Sequence, residues 1–337
     1  MSSIADVAKA AGVSPATVSR VLNERHAHLV APDTRQRVLD AANSLRYRPS
    51  SAATALVDGR TLTVALQSSC LRYNSSYVMR MVDVTQRIVD EHDFHLLLLS
   101  GGPQFDPADL LRERRVDMVI WTHYPVERAD ELLAAVAAPH QAVVGCGPIA
   151  ERPAEIAHCG YWDDREGYAI AVDHVADLGH DRVAFLVGAQ IGIEAWPNAL
   201  EGFEEASTRR GLRGHVISTQ DEVDNLRAGA LMAREALRLH PTPTALVARN
   251  DDFAIGAIHA LLEDGVAIPE QVSVVGYNDM PIVSYTAPAL TTVRTPVAEC
   301  LREVVPAILR QISDSAPHHR VSSTSPIRLI RRKSTAP

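Results

Sequence analysis

Residues 61–330 alternate between short runs rich in Val, Ile and Leu and longer segments whose apolar residues recur at helical spacing. Strands that alternate with helices form parallel sheets, because each helix returns the chain across a face of the sheet. The strand-like runs are 62–67, 95–100, 117–121, 142–146, 156–159, 182–187, 215–218, 245–248, 272–276, 291–294 and 327–330. These are too many for one such domain, so the pattern predicts two α/β lobes with doubly wound parallel sheets.

Between most of these runs lie amphipathic segments that are predicted to be helices. They are 77–91, 106–114, 166–178, 197–210, 225–239, 252–263 and 296–312. In this architecture a ligand binds beyond the carboxyl ends of the strands. We therefore expect a binding cleft between the two lobes.

The first 46 residues have a different pattern, which predicts three short helices. The first two helices meet at Gly12, which can adopt the positive φ that ends a helix and begins a tight turn. Ser14 is a favourable N-cap for the second helix, and Pro15 suits its first position. The exposed side of the second helix comprises Pro15, Ala16, Thr17, Ser19 and Arg20. Such a helix can enter the major groove of DNA, where hydroxyls reach phosphates and an arginine can bind guanine through two hydrogen bonds.

An ordinary helical hairpin would give the same local pattern, but the charge distribution favours DNA binding. Residues 1–60 contain eight Lys and Arg residues and five Asp and Glu residues, whereas the whole chain has a net charge of −8. A basic head on an acidic body is expected when only the head contacts nucleic acid.

Residues 49–60 join this head to the body. The Ser- and Ala-rich stretch after Pro49 has fair helix propensity but little to pack against, so that alone it is predicted to be marginal or disordered. Two interpretations are open. The segment is either a plain linker or a hinge helix that becomes ordered on DNA, in which Ala53 allows close approach and Leu56 acts as a wedge in the minor groove.

Composition disfavours several other classes of protein. No apolar run approaches the ~20 residues of a membrane span, and no signal peptide is predicted at the N-terminus. Cys70, Cys146, Cys159 and Cys300 lack the spacing of zinc ligands and are expected to be reduced thiols of a cytoplasmic protein. No metal or cofactor is predicted.

Several common catalytic motifs are missing from the sequence, which disfavours an enzyme. The segment 64–69, at the end of the first body strand, lacks the glycines of a phosphate-binding loop, and neither GxSxG nor HExxH occurs. Asp163 and Asp164 are adjacent and would point in different directions, which does not suit an acid–base pair.

Ordered motifs run through both head and body. They are 4–8, 12–14, 17–23, 34–39 and 45–49 in the head, and 178–180, 182–186, 202–203, 250–251, 273–279 and 288–293 in the body. In order and spacing these motifs resemble the LacI–GalR family of bacterial transcriptional repressors along nearly the whole chain. The resemblance implies a homodimer on a palindromic operator in double-stranded DNA, with a core shaped like periplasmic sugar-binding proteins.

The resemblance also implies a domain organisation. A DNA-binding head would occupy residues 1–48, a hinge 49–60 and an effector-binding and dimerisation core 61–337. The first lobe of the core would take about 61–161 and return near 290–315. The second lobe would take about 162–288 and the C-terminal strand.

Family positions assign roles to individual residues of the head and hinge. Pro15, Ala16 and Arg20 fall where the family reads bases, and Leu56 falls where it kinks the central base step. The positions that contact phosphates are Ser14, Thr17, Ser19 and Asn23. Ser50 and Ala53 of the hinge complete the predicted DNA-binding set.

The predicted effector site departs from the family at two positions. Ala199 stands where the family usually has an arginine that binds the effector, and Asn278 stands where an aspartate often accepts hydrogen bonds from sugar hydroxyls. Asp163 and Asn250 match family contact positions, and Trp121 and Trp196 could stack on a ring. The predicted effector-binding residues are Arg72, Tyr73, Trp121, His123, Asp163, Trp196, Asn198, Asn250 and Asn278.

The sequence therefore predicts an allosteric DNA-binding repressor that is controlled by a small polar metabolite, a sugar in the first instance. The alternative is a ligand-binding or transport-type protein built on the same body without a regulatory role on DNA.

Overall fold

The computed structural model describes residues 2–22, 29–47, 59–68, 71, 75–100, 106–122, 129–148, 158–188, 197–219, 224–314 and 319–337. Two compact units are present, Met1–Thr61 and Leu62–Pro337.

The first unit contains three helices, α1 (Ile4–Ala11), α2 (Pro15–Leu22) and α3 (Pro32–Ser44). Their buried faces meet in a small core of Val and Ala side chains. It consists of Val7, Ala8, Ala11, Val18, Val21, Val38, Ala41 and Ala42. Because few residues form this core, each of them carries a large share of the head's apolar burial.

Local capping sets the ends of α1 and the start of α2. Ser3 and Asp6 form a reciprocal capping box at the start of α1, and Gly12 ends that helix with φ of 68°. The Ser14 Oγ accepts a hydrogen bond from the Thr17 N–H at 3.1 Å, and Pro15 is the first residue of α2. The end of α1 at Gly12 and the start of α2 at Pro15 confirm the prediction, whereas the capping box of Ser3 was not predicted.

The first lobe of the second unit holds six parallel strands. Their order in the sheet is β11-β5-β4-β3-β1-β2. The strands are β1 (Thr63–Ser68), β2 (His95–Leu99), β3 (Met118–Thr122), β4 (Ala142–Pro148), β5 (His158–Trp162) and β11 (Ser322–Thr324). The helices are α4 (Ser76–Glu91), α5 (Pro107–Arg112), α6 (Ala129–Ala134) and α11 (Val297–Asp314).

The second lobe is built in the same way, with strand order β12-β10-β9-β8-β6-β7. Only the edge pair β10–β12 is antiparallel among the pairings described in this sheet. The strands are β6 (Arg182–Leu186), β7 (Arg213–Ile217), β8 (Ala245–Ala248), β9 (Ser273–Tyr277), β10 (Thr291–Arg294) and β12 (Arg328–Ile330). The helices are α7 (Asp164–Asp177), α8 (Pro197–Arg210), α9 (Asn225–Ala236) and α10 (Asp251–Glu263), followed by a 3₁₀ turn at Pro281–Ser284.

The boundary between the lobes differs from the expected one at the return to the first lobe. Residues 290–315 were expected there together, but β10 pairs with β9 and β12 in the second sheet. Only α11 and β11 return to the first lobe, where α11 packs against α4, β4 and β5. The reason is that Thr291 and Thr292 lie in register with Val275 and Gly276, which completes the second sheet. The chain thus crosses between lobes after β5, after β10 and after β11.

The last residues bind to the second lobe through buried polar contacts. The Ser334 hydroxyl donates to the Val274 carbonyl at 2.6 Å and accepts from the Thr291 N–H at 2.8 Å. Next to it, the Ala336 N–H donates to the Ser273 hydroxyl at 3.1 Å. The C-terminal segment is therefore an integral part of this lobe.

Candidate nucleic-acid interface and ligand cleft

Helix α2 separates an inner apolar face from an outer polar one. Val18 and Val21 are buried in the core of the head. Ser14, Pro15, Ala16 and Arg20 are exposed, whereas Thr17 and Ser19 are half-buried. One short helix and the residue before it therefore hold together six of the predicted DNA-binding residues, Ser14, Pro15, Ala16, Thr17, Ser19 and Arg20. Asn23, Ser50, Ala53 and Leu56 lie outside the described residues.

Ser14 and Thr17 form a hydroxyl pair at the start of α2. Their oxygens are 2.9 Å apart, and the Ser14 Oγ also accepts the Thr17 N–H. One hydroxyl donates to the other, which leaves the second hydroxyl proton able to donate outward. A helix N-terminus with an outward donor suits a phosphate oxygen.

Residues predicted to bind the effector lie near the carboxyl ends of four strands. Trp121 is the penultimate residue of β3, Asp163 follows β5, Asn250 follows β8 and Asn278 follows β9. Asn198 is the second residue of α8 and is half-buried. Within the part of the chain that the structure describes, both lobes thus present polar or aromatic side chains at this edge. Arg72, Tyr73, His123 and Trp196 lie outside that part.

Two of these side chains also cap helices. The Asp163 Oδ1 accepts from the Arg165 N–H at 2.9 Å, and the Asn250 Oδ1 accepts from the Phe253 N–H at 2.7 Å. Capping fixes the rotamer of each side chain at the edge of the cleft. Asp163 is exposed and its neighbour Asp164 is buried, as expected if the two point in different directions.

Asn278 has an unusual backbone conformation. Its φ is 106°, a region that asparagine tolerates better than most residues. The Asn278 N–H donates to the Val293 carbonyl at 2.7 Å, and the side-chain amide donates to the Thr295 hydroxyl at 3.4 Å. This side chain is neutral, so it can accept hydrogen bonds from a ligand without placing a charge in the cleft.

The sequence analysis did not identify Asp251, whose buried carboxyl group links several elements of the second lobe. Its carboxylate accepts from the Met280 N–H at 2.7 Å and from the Thr292 hydroxyl at 2.6 Å. Burial raises the pKa of Asp251 to about 8. These contacts connect α10 to β10 and to the segment after β9, so Asp251 positions both Asn250 and Asn278. Its place directly after Asn250 in a family motif was the signal that could have identified it.

Asp164 forms hydrogen bonds to both lobes at the point where the chain first passes from the first lobe to the second. Its Oδ1 accepts from the Trp162 indole at 2.9 Å and from the Tyr277 hydroxyl at 2.6 Å. Burial raises the pKa of Asp164 to about 6. Because Trp162 belongs to β5 and Tyr277 to β9, this carboxyl group joins the two sheets beside Asp163.

Asp252 makes a second connection between the lobes. Helix α4 of the first lobe begins at Ser76, and its N-cap Ser75 makes no side-chain capping bond. Asp252 of the second lobe accepts from the Ser76 N–H at 3.0 Å and from the Ser76 hydroxyl at 2.5 Å. The Asn225 amide donates to the same carboxylate at 3.4 Å. Asp252 thus caps a helix of the opposite lobe, where the helix dipole favours a negative charge.

The described residues offer neither a metal site nor a reactive thiol. Among the described residues, no group of three or more His, Cys, Asp or Glu side chains is placed to hold a metal ion. The described cysteines, Cys146, Cys159 and Cys300, are buried and form no disulfide with one another, and burial raises the pKa of Cys300 to about 11. No helix in the described ranges is long and apolar enough to cross a membrane.

Comparison with known proteins agrees with this two-part architecture. Residues 3–50 match the bacterial regulatory proteins of the lacI family, and residues 172–335 match a periplasmic binding protein-like domain. The HTH-type transcriptional regulator AscG of Escherichia coli K12 is 31% identical over 347 residues, which covers 99% of this chain and 98% of that protein.

Solved structures show the same similarity. The lac repressor dimer bound to operator and the anti-inducer ONPF is 25% identical, with a TM-score of 0.81 and coverage of 100% of this chain and 99% of that chain. A complex of the transcriptional regulator CelR with cellobiose is also 25% identical, with a TM-score of 0.66 and coverage of 99% and 100%.

A helix-turn-helix head on a core of two periplasmic-binding-protein-like lobes defines a ligand-responsive, DNA-binding transcriptional regulator. The chain belongs to the LacI family of bacterial regulatory proteins. The family and the fold class predicted from the motifs are therefore confirmed. The relatives named above are transcriptional regulators rather than enzymes.

Proposed function

We propose that this protein is a repressor that binds a palindromic operator as a homodimer, and that a small polar metabolite in the cleft controls operator binding. The observation that carries the proposal is the arrangement of α2, which exposes Ser14 and Arg20 while Val18 and Val21 anchor the helix. A chain that regulates transcription acts on the chromosome, so we assign it to the cytoplasm. The proposal includes no catalysed reaction and no cofactor.

Arg20 is proposed to supply most of the direct polar reading of bases. Pro15 and Ala16 beside it carry no side-chain donor, so they are proposed to contact bases through apolar atoms. Ser14, Thr17 and Ser19 are proposed to contact phosphates, and Asn23 is assigned to the same role from its family position. Ser50, Ala53 and Leu56 are proposed to act in the hinge.

Replacing Arg20 with alanine is expected to weaken operator binding by about 1–3 kcal/mol and to relax the preference at one base pair. The reason is that the bidentate pair of hydrogen bonds from the Arg20 guanidinium to a base is lost. The measurement is a fluorescence-anisotropy titration on the operator and on single-base variants at fixed salt.

Arg35, an exposed arginine of α3, provides a matched control in the head. Arg35→Ala removes the same charge and is expected to leave the base preference unchanged. If Arg20→Ala weakens binding to every DNA sequence equally, Arg20 contributes charge only and the proposed base contact is wrong.

A sugar is our first proposal for the effector, because relatives include a regulator solved with cellobiose. Trp121, Asp163, Asn198, Asn250 and Asn278 are the proposed contacts within the described residues. Arg72, Tyr73, His123 and Trp196 are proposed from the sequence. Ala199 is buried at a position where the family usually has an arginine, and Asn278 is neutral, which favours a ligand without a net charge.

A thermal-shift screen against sugars, sugar phosphates, nucleosides and amino acids tests the effector proposal. A sugar that binds the native core at a hundredfold excess over its Kd is expected to stabilise it by about 2.7 kcal/mol. Repeating the operator titration with the hit shows whether it releases or promotes DNA binding. If only non-sugars raise the Tm, the sugar class is wrong and the regulated-repressor proposal survives.

The homodimer is supported by apolar side chains exposed at the edges of both sheets. Leu97 and Leu98 lie on the edge strand β2, and Val216 lies on the edge strand β7. Ile282 and Tyr285, in and after the 3₁₀ turn, are also exposed, Tyr285 to 85%. Exposed apolar residues at sheet edges are features of protein–protein contact surfaces.

A further inference from the structure

We propose that the side chain of Gln67 is an effector-binding group of the first lobe, whose carboxamide oxygen accepts a hydrogen bond from a ligand hydroxyl. This inference rests on the proposed function, since it adds a contact to the same cleft. Neither the motifs nor the family positions point to Gln67.

The position of Gln67 places it at the ligand-binding edge of the sheet. It is the penultimate residue of β1, and it lies in register with Leu99 of β2 and Trp121 of β3. Residues in register on parallel strands present their side chains to the same face. Gln67 is therefore the immediate neighbour of Trp121, a buried aromatic side chain that is proposed to contact the effector.

The hydrogen bonding of Gln67 is incomplete. Its side chain is 2% exposed, and its Oε1 is buried without a hydrogen-bond partner among the described residues. Buried polar atoms in native proteins are nearly always paired, and an unpaired one lowers stability. Because the unpaired Gln67 Oε1 lies at the edge where the ligand is proposed to bind, we infer that it accepts a hydrogen bond from the ligand.

Gln141 shows that this condition is not a general property of buried glutamines in this lobe. It is also 2% exposed but precedes β4, at the opposite edge of the same sheet. Its Oε1 accepts from the Ala137 N–H at 2.9 Å, and its Nε2 donates to the carbonyls of Leu111 and Val116 at 2.8 and 3.1 Å. The same side chain at the same burial is satisfied at the amino edge and unsatisfied at the carboxyl edge.

The chemistry of Gln67 indicates the class of ligand. An amide oxygen needs a hydrogen-bond donor, which the hydroxyls of a neutral sugar supply and a carboxylate or phosphate oxygen does not. The adjacent indole of Trp121 adds an aromatic ring of the kind that packs against the apolar face of a sugar. Ala199 and Asn278 keep formal charge away from two expected contact positions, which fits the same neutral ligand.

Gln67→Met tests the proposal without any ligand. The substitution keeps the shape and removes the unpaired oxygen, so we expect the Tm of the ligand-free protein to rise by about 2–4 °C. Gln141→Met, the matched control, removes three hydrogen bonds and is expected to lower the Tm. A fall in Tm for Gln67→Met would mean that the amide has a structural role, and the proposal would be wrong.

The second measurement uses cellobiose and D-ribose as probes, each titrated by calorimetry. We expect Gln67→Met to weaken binding of a probe about tenfold or more, the loss of one hydrogen bond in a closed site. Thr85→Val removes another buried and unpaired hydroxyl, on α4, and is expected to raise the Tm while leaving probe binding unchanged.

The outcomes separate this inference from the proposed function. Equal probe affinity in Gln67→Met and the parent would contradict the contact to Gln67 and leave the proposed function standing. Failure of both probes to bind the parent counts against those sugars as effectors and is seen without the variant. In that event the change in ligand-free Tm still supports the inference if it is a rise and contradicts it if it is a fall.

Discussion

Replacing Asp252 with asparagine is expected to lower the free energy of unfolding of the core by about 1–3 kcal/mol. The buried carboxylate accepts hydrogen bonds from the backbone and the side chain of Ser76 on the other lobe. An asparagine would turn its NH₂ group toward one of these donors, so that at least one of the two half-buried Ser76 donors would lose its partner. Urea titration followed by circular dichroism measures the change.

A double-mutant cycle shows whether the Asp252–Ser76 contact forms in solution. Asp252→Asn and Ser76→Ala are expected to couple by about 1 kcal/mol, because both remove the same hydroxyl–carboxylate hydrogen bond. Thr85→Val, further along α4, is the control and is expected to be additive with Asp252→Asn. Additivity of Asp252→Asn with Ser76→Ala would mean that the two side chains do not interact.

The same contact limits what an effector must do. Ser76 and Asp252 follow the carboxyl ends of β1 and β8, at the edge where the ligand is proposed to bind. A ligand that favours separated lobes must bind the separated form more tightly than the form in which Asp252 and Ser76 are joined. The difference in binding free energy must be at least the free energy of this contact. Asp252→Asn is therefore expected to make such a ligand more potent.

Replacing Gly256 with alanine is expected to destabilise the second lobe by about 3 kcal/mol or more. A Cβ at Gly256 would overlap the carbonyl oxygen of Leu226, and a Cβ at Gly229 would overlap that of Phe253. Helices α9 and α10 thus approach backbone to backbone, and neither carbonyl can rotate away as a side chain could. Helix propensity alone predicts a gain of about 1 kcal/mol, so the sign of the measured change separates the two effects.

Gly211 is the control for the cost of a glycine substitution without a clash. It is exposed, has φ of 68° and has open space around the position of a Cβ. Gly211→Ala is expected to cost about 1–2 kcal/mol from backbone strain alone. A gain in stability for Gly256→Ala would show that α9 and α10 are not closely packed in solution.

The parts of the fold that local chemistry determines could be predicted from the sequence. Gly12, Ser14 and Pro15 mark the turn between the first two helices of the head, and apolar periodicity defines most strands and helices of the core. Strand β11 was missed because Ser322-Ser323-Thr324 has no apolar run and buries only Ser323. Residues 291–294 were correctly predicted as a strand, but local pattern carries no information about which sheet receives it.

The site was predictable only where a motif marks it. Asp163 and Asn250 were found from family positions, and both lie at the expected edge. The importance of Asp252 depends on Ser76, which is 176 residues away in the chain. In the sequence Gln67 is simply a polar residue near the end of a predicted strand. The missing hydrogen bond of its Oε1 is evident only in the folded lobe. Such residues are identified by long-range contacts, which sequence periodicity does not report.

The threading of the chain through both lobes has a consequence for biosynthesis. The first sheet receives β11 and the second receives β10 and β12, all from residues 291–330. On the ribosome neither sheet can be completed until residues 322–330 have emerged, whereas the head closes its small core within residues 2–47. A nascent or prematurely terminated chain can therefore fold its DNA-binding head before it can fold the two-lobed core that is proposed to control the head. For this protein, control over DNA binding is therefore acquired later in synthesis than the DNA-binding head itself.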